Sequence, residues 1–382
     1  MHKYLKTRKC LSSFISFAII ILTAVVSYPI SASAAETKLD TFIAYPPIHL
    51  NGTSSSTIRG LTPRDIHSAY NIPDGLGTGT IAIIAAYDNT EIEKDLQTFN
   101  TTFGLQECSS KNNCFEKHRM DSRLLSKNDW SLEQSLDVEW AHAIAPHAKI
   151  LLVEAKTASG KDLLKAIDYA RNRPDVVSVS MSWGGKEFRG EGELENHFSS
   201  GTKRKIAFFA SSGDSGAGVN WPAVSQKVIG VGGTSLRLSK ERNVISETAW
   251  AGSGGGVSSF LNAPTYQTDY NIPKAKKMRS VPDVSFNADP QFGYAVYHDN
   301  KTKNKWYVLG GTSAGAPQWA AIHAIGLSAY LPNIYKDKLS EKKPLYFRDI
   351  VSGSNGECKY YCDARLRYDY ITGLGSPITS SF

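Results

Sequence analysis

The chain has 382 residues, of which 41% are hydrophobic and 21% charged. This ordinary globular composition excludes a disordered or fibrous protein. Residues 1–34 hold four basic and no acidic side chains, so removing them lowers the formal net charge from +7 to +3. A balance this close to neutral does not indicate a protein that binds nucleic acid.

The N-terminus has the layout of a secretory signal peptide. Four basic residues precede the apolar run 14–26, and the small residues Ala32, Ser33 and Ala34 follow it. The apolar run is short for a membrane span. We therefore expect cleavage after Ala34, secretion to the extracellular space and no stable membrane association afterwards. An uncleaved membrane anchor is the alternative.

Residues 35–60 read as an extended N-terminal arm, and residues 61–382 as one α/β domain. The continuous apolar run 81–87 is typical of a strand buried on both faces of a parallel sheet. The remaining predicted elements alternate in the same way: helices at 91–103 and 162–172, and strands at 149–154, 176–181, 206–211 and 228–231.

Removal of the signal peptide leaves four cysteines, an even number in a chain bound for an oxidising compartment. Two disulfides are expected, and three connectivities are possible. Short separations favour Cys108 with Cys114 and Cys358 with Cys362. A zinc site is the competing interpretation, although the spacing is unlike that of CxxC pairs.

The segment 131–141 predicts a helix that carries two acids on one face. Ser131 and Gln134 resemble a capping box at its start. Glu133 and Asp137 are four residues apart, so their carboxyl groups are neighbours and can share a proton, which raises one pKa. Glu139 falls on another face and is expected to be exposed. A solvated acidic surface is the alternative interpretation of the pair.

Two further motifs follow predicted buried strands. Asp214 lies in a glycine-rich loop after the strand 206–211, at the sheet edge where α/β proteins bind ligands. Ser313 lies where the strand 306–309 turns through two glycines into a predicted helix, 314–330. Free N–H groups at such a helix start favour developing negative charge. The alternatives are a simple turn at Asp214 and a helix cap at Ser313.

In this order the motifs Glu-x-x-Leu-Asp, Ser-x-Gly-Asp-Ser-Gly and Gly-Thr-Ser-x-x-x-Pro resemble the sedolisin family of serine-carboxyl peptidases. Segments 70–73, 182–185, 281–285 and 372–377 are also similar to family landmarks, so the resemblance covers most of residues 60–380. It implies a subtilisin-like α/β fold, with a mostly parallel central sheet and helices on both faces. It also implies a monomeric endopeptidase that acts on proteins or peptides.

The resemblance assigns Ser313 as nucleophile, Glu133 as general base, Asp137 as its proton-sharing partner and Asp214 as an oxyanion-hole residue. A carboxylate cannot donate a hydrogen bond, so Asp214 has to be protonated while Glu133 accepts the serine proton. Ordinary carboxyl pKa values near 4 then predict activity in acid, at roughly pH 3–5. By the same resemblance, Ser182, Trp183 and Gly184 flank the substrate cleft.

The resemblance further implies one structural Ca²⁺ ion, held by two carboxylates and several backbone carbonyls, an oxygen donor set that suits this ion. The matching positions are Asp349, Ile350, Arg365, Arg367 and Asp369. Many relatives have glycine where this chain has the two arginines. Surface acids in a loop are the alternative interpretation.

Members of the family usually carry a long N-terminal propeptide, whereas about 25 residues separate the predicted cleavage site from the domain. Any zymogen control is therefore expected to differ from the usual kind. The competing functions are a subtilisin-type peptidase with a histidine base, a catalytically inactive secreted peptide-binding module, and a glycosidase with a carboxylate pair. Acids four residues apart on one helix are poorly placed to flank a sugar bond.

Overall fold

The computed structural model describes residues 38–301, 305–326, 330–336 and 347–379. The predicted signal peptide lies outside these residues and stays a prediction. All described residues belong to one compact unit, within residues 33–382. Across the described ranges, no helix combines the length and the apolar character that a bilayer crossing requires.

A central sheet of eight strands organises the molecule. The strands are β1 (Thr80–Ala86), β2 (Phe115–Arg119), β3 (Lys149–Ala155), β4 (Val176–Met181), β5 (Ala207–Ser211), β6 (Val228–Leu238), β7 (Val244–Ala249) and β8 (Val284–Asn287). Their order is β7-β6-β5-β4-β1-β3-β2, and β8 also pairs with β6. Seven strands are mutually parallel, and only β7 runs antiparallel to its neighbour. The predicted mostly parallel sheet is therefore confirmed.

Helices cover the sheet, and every residue of β1 is buried, as its continuous apolar sequence predicts. The helices are α1 (Pro63–Tyr70), α2 (Ile92–Phe103), α3 (Asn128–Ile144), α4 (Gly160–Arg171), α5 (Thr265–Tyr270), α6 (Gly315–Ala324) and α7 (Leu331–Lys336). Helices α3, α4 and α6 all contact β1, and α3 and α6 also pack against each other. This arrangement holds α3 and the start of α6 beside the same region of the sheet.

Short elements surround this core. The remaining strands are His49–Leu50, Gly185–Lys186, Asn220–Trp221, Gly256–Asn262, Met278–Val281, Tyr294–Tyr297, Trp306–Gly310, Phe347–Arg348 and Ser376–Pro377. The 3₁₀ helices are Glu191–Phe198, Pro290–Phe292, Thr312–Ala314 and Lys359–Tyr361.

Two predicted helix boundaries were wrong. Helix α3 begins at Asn128, and Ser131 lies inside it, where its hydroxyl donates to the Lys127 carbonyl oxygen at 2.9 Å. A serine can bond backward within a helix as well as cap it, so the capping box was a misleading signal. Helix α6 ends at Ala324, earlier than the predicted 330.

Both favoured disulfides are present, Cys108–Cys114 and Cys358–Cys362. Within the described residues, the one group of three potential metal ligands is Cys108, Cys114 and His142. Because both of its thiols are oxidised to a disulfide, the competing zinc interpretation loses its ligands.

The N-terminal arm packs against the domain along residues 38–60. The side chains of Leu39 and Phe42 are buried. The Phe42 ring lies 5.1 Å from the Trp221 ring and 5.7 Å from the Phe188 ring, measured between centroids. Further along the arm, His49–Leu50 pairs antiparallel with the strand Trp306–Gly310.

Candidate active site

The predicted site residues meet at the carboxyl ends of β4 and β5. Ser182 directly follows β4, and Asp214 lies three residues after β5. The two strands are parallel neighbours, so their ends lie at one edge of the sheet, the usual location of ligand sites in α/β proteins. Helix α3 and the 3₁₀ turn Thr312–Ala314 pack together and bring Glu133, Asp137 and Ser313 to the same region.

Ser313 is fixed by a turn that depends on glycine. Gly311 has φ of 125°, in the region that disfavours other residues. A Cβ at this position would overlap the Pro47 carbonyl oxygen and would lie 2.5 Å from Asp214 Oδ2. Ser313 itself is buried, and its Oγ makes no helix-capping hydrogen bond within the described residues. The helix-cap interpretation is therefore wrong.

Glu133 and Asp137 lie one turn apart on α3, and both are buried. The pKa of Glu133 lies well above its usual range. Burial is the largest cause and the Asp137 carboxylate is the next, whereas the neighbouring Ser313 hydroxyl offsets part of the rise. Burial likewise raises the pKa of Asp137. The Ser313 hydroxyl and both Glu133 carboxylate oxygens are buried and make no hydrogen bond within the described residues. Hydrogen bonds between reacting groups are often long without substrate and tighten when it binds.

Ser182 links the acid pair to the turn of Ser313. Its hydroxyl oxygen lies 2.6 Å from Asp137 Oδ1 and 3.0 Å from the Ser313 carbonyl oxygen. The hydroxyl donates to Asp137, and this hydrogen bond lowers the pKa of Asp137 in part, against the larger effect of burial. Ser182 thus fixes the position of the Asp137 carboxyl group beside Glu133.

Asp214 is held by the turn that carries the serine. Its Oδ1 accepts hydrogen bonds from the Thr312 backbone N–H at 2.8 Å and from the Thr312 hydroxyl at 2.7 Å. Its Oδ2 faces Gly311 and lies 3.2 Å from His49 Nε2. Burial raises the pKa of Asp214, whereas the hydrogen bonds from His49 and Thr312 lower it in part. Asp214 is thus held against Gly311 and Thr312, the two residues that precede Ser313.

The expectation that Glu139 is exposed was wrong. Its side chain is completely buried on the other face of α3, where Oε2 accepts the Tyr297 backbone N–H at 3.0 Å. Burial, together with the nearby Asp95, raises the pKa of Glu139 well above its usual range. Tyr297 lies far away in sequence, so the local helical pattern carried no signal for this partner.

Of the three predicted cleft residues, only Gly184 lines the cleft. The cleft has a volume of about 1070 Å³ and is bounded by residues 184–188, residues 213–220 and the N-terminal arm. Ser182 lies beneath it, against Asp137. Trp183 is a core residue whose indole N–H donates to the Ile84 carbonyl oxygen at 2.9 Å.

Sequence reasoning missed His49 and Thr312. Thr312 stands directly before the predicted nucleophile in the sequence motif, and its hydroxyl at that position is the signal that was available. His49 had no such signal, because its contact with Asp214 depends on how the arm lies in the cleft. Among the described residues that line the cleft, His49 is the single histidine, and it pairs with Asp214.

The five predicted calcium positions lie in two loops that approach each other. Asp349 Oδ2 accepts the Arg367 backbone N–H at 2.7 Å, and Asp369 Oδ2 accepts the Arg365 backbone N–H at 3.4 Å. Ile350 and Asp369 are buried, and burial raises the pKa of Asp369 to about 6. Arg367 has φ of 69°, a left-handed conformation that favours glycine. Asp369 is a buried carboxyl group, and a bound cation would offset the cost of burying its charge.

Comparison with known proteins adds independent findings. Residues 75–342 match the profile of the subtilase family. Kumamolisin from Bacillus sp. (strain MN-32) is 33% identical over 363 residues, which cover 85% of this chain and 63% of kumamolisin. Sedolisin from Pseudomonas sp. (strain 101) is 24% identical over 372 residues, which cover 85% of this chain and 60% of sedolisin. The chain thus spans less than two thirds of the length of these relatives.

The solved structure of Pseudomonas sedolisin, a serine-carboxyl proteinase complexed with two molecules of pseudo-iodotyrostatin, has a similar fold. Its TM-score is 0.71 at 24% identity, and the match covers 86% of this chain and 97% of that one. The predicted subtilisin-like fold is confirmed by this likeness.

Proposed function

Because the chain belongs to the subtilase family, and within it to the sedolisins, we propose that it is a secreted serine-carboxyl endopeptidase that cleaves proteins and peptides in acid. The observation that carries this proposal is the convergence of Ser313, Glu133, Asp137 and Asp214 at one edge of the sheet. The four groups supply a nucleophile, a base, a proton-sharing acid and an oxyanion donor.

The reaction begins when the Ser313 oxygen attacks the carbonyl carbon of a peptide bond. Glu133 takes the serine proton and returns it to the leaving amine. The Asp214 hydroxyl stabilises the negative oxygen of the tetrahedral intermediate. Water then hydrolyses the acyl-enzyme by the same steps. Glu133 and Asp137 are buried side by side, so that together they hold one proton in the resting state.

This chemistry sets the direction of the pH dependence. Asp214 donates only while it is protonated, and its pKa is raised by burial. Activity is therefore lost as the pH rises through the pKa of Asp214, and it also falls at low pH, where the base Glu133 becomes protonated. A peptidase with a histidine base would show the opposite trend, because imidazole must be neutral to accept a proton.

The decisive experiment compares hydrolysis of a denatured protein by the full chain and by Ser313→Ala at several pH values. Ser180→Ala is the matched control, since Ser180 is also a buried serine and its hydroxyl makes no hydrogen bond within the described residues. We expect acid hydrolysis by the wild type and by Ser180→Ala only. Equal hydrolysis by Ser313→Ala would refute the nucleophile assignment. No hydrolysis by any of the three proteins would favour an inactive peptide-binding module.

We also propose one structural Ca²⁺ ion at the loops of Asp349 and Asp369. The two carboxylates would supply charged ligands, and the backbone carbonyls of Ile350, Arg365 and Arg367 would complete an oxygen donor set. When bound, the ion would neutralise the buried acids and tie the two loops together. The arginine side chains do not interfere with this assignment, since the proposed ligands are main-chain oxygens.

We further propose that the protein is a monomer and that residues 1–34 direct its secretion. The N-terminal sequence of Ser313→Ala recovered from the culture medium tests the second point. We expect that sequence to begin at Ala35, after the small residues typical of signal cleavage.

A further inference from the structure

A second groove opens from the substrate cleft. It has a volume of about 540 Å³, and its walls include residues 217–219, residues 255–259, Lys276 and Tyr361. Glu187 and residues 217–219 line the cleft as well, so the two spaces share a wall. A peptide chain that leaves the cleft at this wall enters the groove. The proposed mechanism uses none of the residues that line the groove.

The groove carries lysines that have no acidic partner. Lys276 lines it, Lys274 and Lys277 lie beside Lys276 in sequence, and all three are exposed. Within the described residues, none of the three forms an ion pair. Lysines elsewhere on the surface do pair, as Lys156 does with Asp121 at 2.9 Å. We call Lys274, Lys276 and Lys277 the basic rim of the groove.

The basic rim has an unusual backbone conformation. The φ angle is 61° at Lys274, 53° at Lys276 and 61° at Lys277, in the left-handed region that a β-carbon disfavours. Glycine or asparagine would adopt these angles at lower cost. Strained conformations of this kind are concentrated at functional sites. The demands of folding therefore do not explain why three lysines occupy these positions.

A neighbouring loop holds the basic rim in place. The Tyr361 hydroxyl donates to the Lys274 carbonyl oxygen at 3.1 Å, and Lys274 Nζ lies 3.8 Å from the centroid of the Tyr360 ring. The disulfide Cys358–Cys362 closes the loop that carries both tyrosines. Cys358 and Tyr361 also line the groove, so the loop and the basic rim form one surface.

Most acidic side chains around the groove are already engaged. Both carboxylate oxygens of Glu187 accept hydrogen bonds from the strand Gly256–Asn262. Asp363 pairs with Arg365 at 3.2 Å. Glu357 is exposed next to the disulfide loop. The three lysines of the basic rim outnumber Glu357, so this surface attracts anionic groups.

We propose that the groove and its basic rim form an exosite that binds an acidic segment of the protein substrate. The proposal rests on the peptidase function proposed above, and it names a substrate class: proteins with clustered aspartates or glutamates near the bond that is cut. The shared wall favours a peptide as the ligand, because a chain held in the cleft reaches the basic rim directly. Binding at the exosite lowers KM and leaves kcat unchanged, since it contacts no reacting group.

Three peptides that share one cleavable sequence test the exosite. One carries a run of aspartates at its amino end, one carries the same run at its carboxyl end, and one carries serines at both ends. At roughly pH 5 and low salt, we expect at least one acidic peptide to have a KM about fivefold below that of the neutral peptide, with the same kcat. Salt should weaken this preference, because exposed charges are screened.

The same peptides at roughly pH 3 give a second readout. Aspartate carboxyl groups with ordinary pKa values near 3.9 become protonated there, whereas lysine keeps its charge. The difference in KM between acidic and neutral peptides should therefore disappear. A preference of equal size at both pH values would contradict recognition by charge.

Variants of Lys276 locate the preference. Lys276→Glu reverses the charge, so the KM of the acidic peptide should rise at least to that of the neutral peptide, which should itself keep its KM. Lys276→Arg retains the charge and should retain the preference. Lys111→Glu is the matched control, since Lys111 is an exposed lysine in the other disulfide loop and lines neither space. Equal KM values for all three peptides in the wild type, or a preference that survives Lys276→Glu, would overturn the exosite.

The neutral peptide separates this proposal from the proposed function. If the wild type hydrolyses it, Ser313→Ala does not, and acidic tails leave KM unchanged, the exosite is wrong and the peptidase assignment stands. If the wild type hydrolyses none of the peptides in acid, both proposals fail together. If the tails have no effect but vesicles of anionic phospholipid bind the wild type and not Lys276→Glu, the basic rim binds a membrane surface and the exosite is again wrong.

Discussion

Helix α3 carries buried acids on two faces, and the comparison between those faces explains the site. Glu133 and Glu139 are both buried, and burial is the largest cause of a raised pKa in each. Glu139 accepts a backbone N–H from Tyr297. Glu133 instead faces a serine hydroxyl, with Asp137 beside it. Burial is common to both glutamates, so the proposed catalytic role of Glu133 depends on its neighbours Ser313 and Asp137.

The largest expected effect is a difference in kcat between variants on the two faces of α3. Glu133→Gln removes the base, and kcat should fall by about 10²–10⁴, the usual contribution of general acid–base catalysis. Glu139→Gln changes an acid of the same size and burial, and kcat should stay within about threefold of the wild type, because this residue contacts no reacting group. Steady-state kinetics in acid check both variants. An equal loss of kcat in both variants would show that Glu133 and Glu139 do not differ in their contribution to catalysis.

A smaller effect is expected at Ser182, which orients the acid beside Glu133. Ser182→Ala removes its contacts with Asp137 and with the Ser313 carbonyl oxygen. We expect kcat to fall about tenfold, the magnitude of one hydrogen bond to an ionisable group. The acidic limb of the pH profile should also move, because Asp137 loses the hydrogen bond from Ser182 that lowers its pKa. A change in thermal stability alone, with an unchanged profile, would mean that Ser182 is only a packing residue.

The smallest effect concerns the calcium loops, where burial serves stability rather than chemistry. Burial raises the pKa of Asp369 to about 6, so the uncharged form stabilises the fold below that pH, and this contribution is lost as the pH rises through 6. Bound Ca²⁺ would offset the loss, typically by about 3 kcal/mol when the ion is a hundredfold above its Kd. Chelation should therefore lower Tm more at pH 7.5 than at pH 4.

Asp369→Asn should abolish this chelator effect on Tm, whereas Asp269→Asn, a change at an exposed acid, should preserve it. A chelator that leaves Tm unchanged at pH 7.5 would remove the calcium proposal and leave the catalytic account intact.

Part of the fold was predictable because β1 is a continuous apolar run, in which burial on both faces dictates the sequence. The positions of Asp214 and Ser313 followed from the rule that strand ends carry function. Long-range contacts were not predictable. The burial of Glu139 depends on Tyr297, and the contact of His49 with Asp214 depends on the path of the arm. The sequence around Glu139 and around Asp214 carries no signal for either contact.

The proposed mechanism depends on a protonated Asp214 that donates to the oxyanion, and the pH dependence of kcat/KM is the sharpest test of this role. Asparagine donates at every pH, so Asp214→Asn should remain active and move the alkaline limb to higher pH. Asp214→Ala should lose about 10²–10³ in rate at the optimum. The wild type should be most active in acid and decline toward neutrality. A wild-type maximum above neutrality, or an identical limb in Asp214→Asn, would contradict the account.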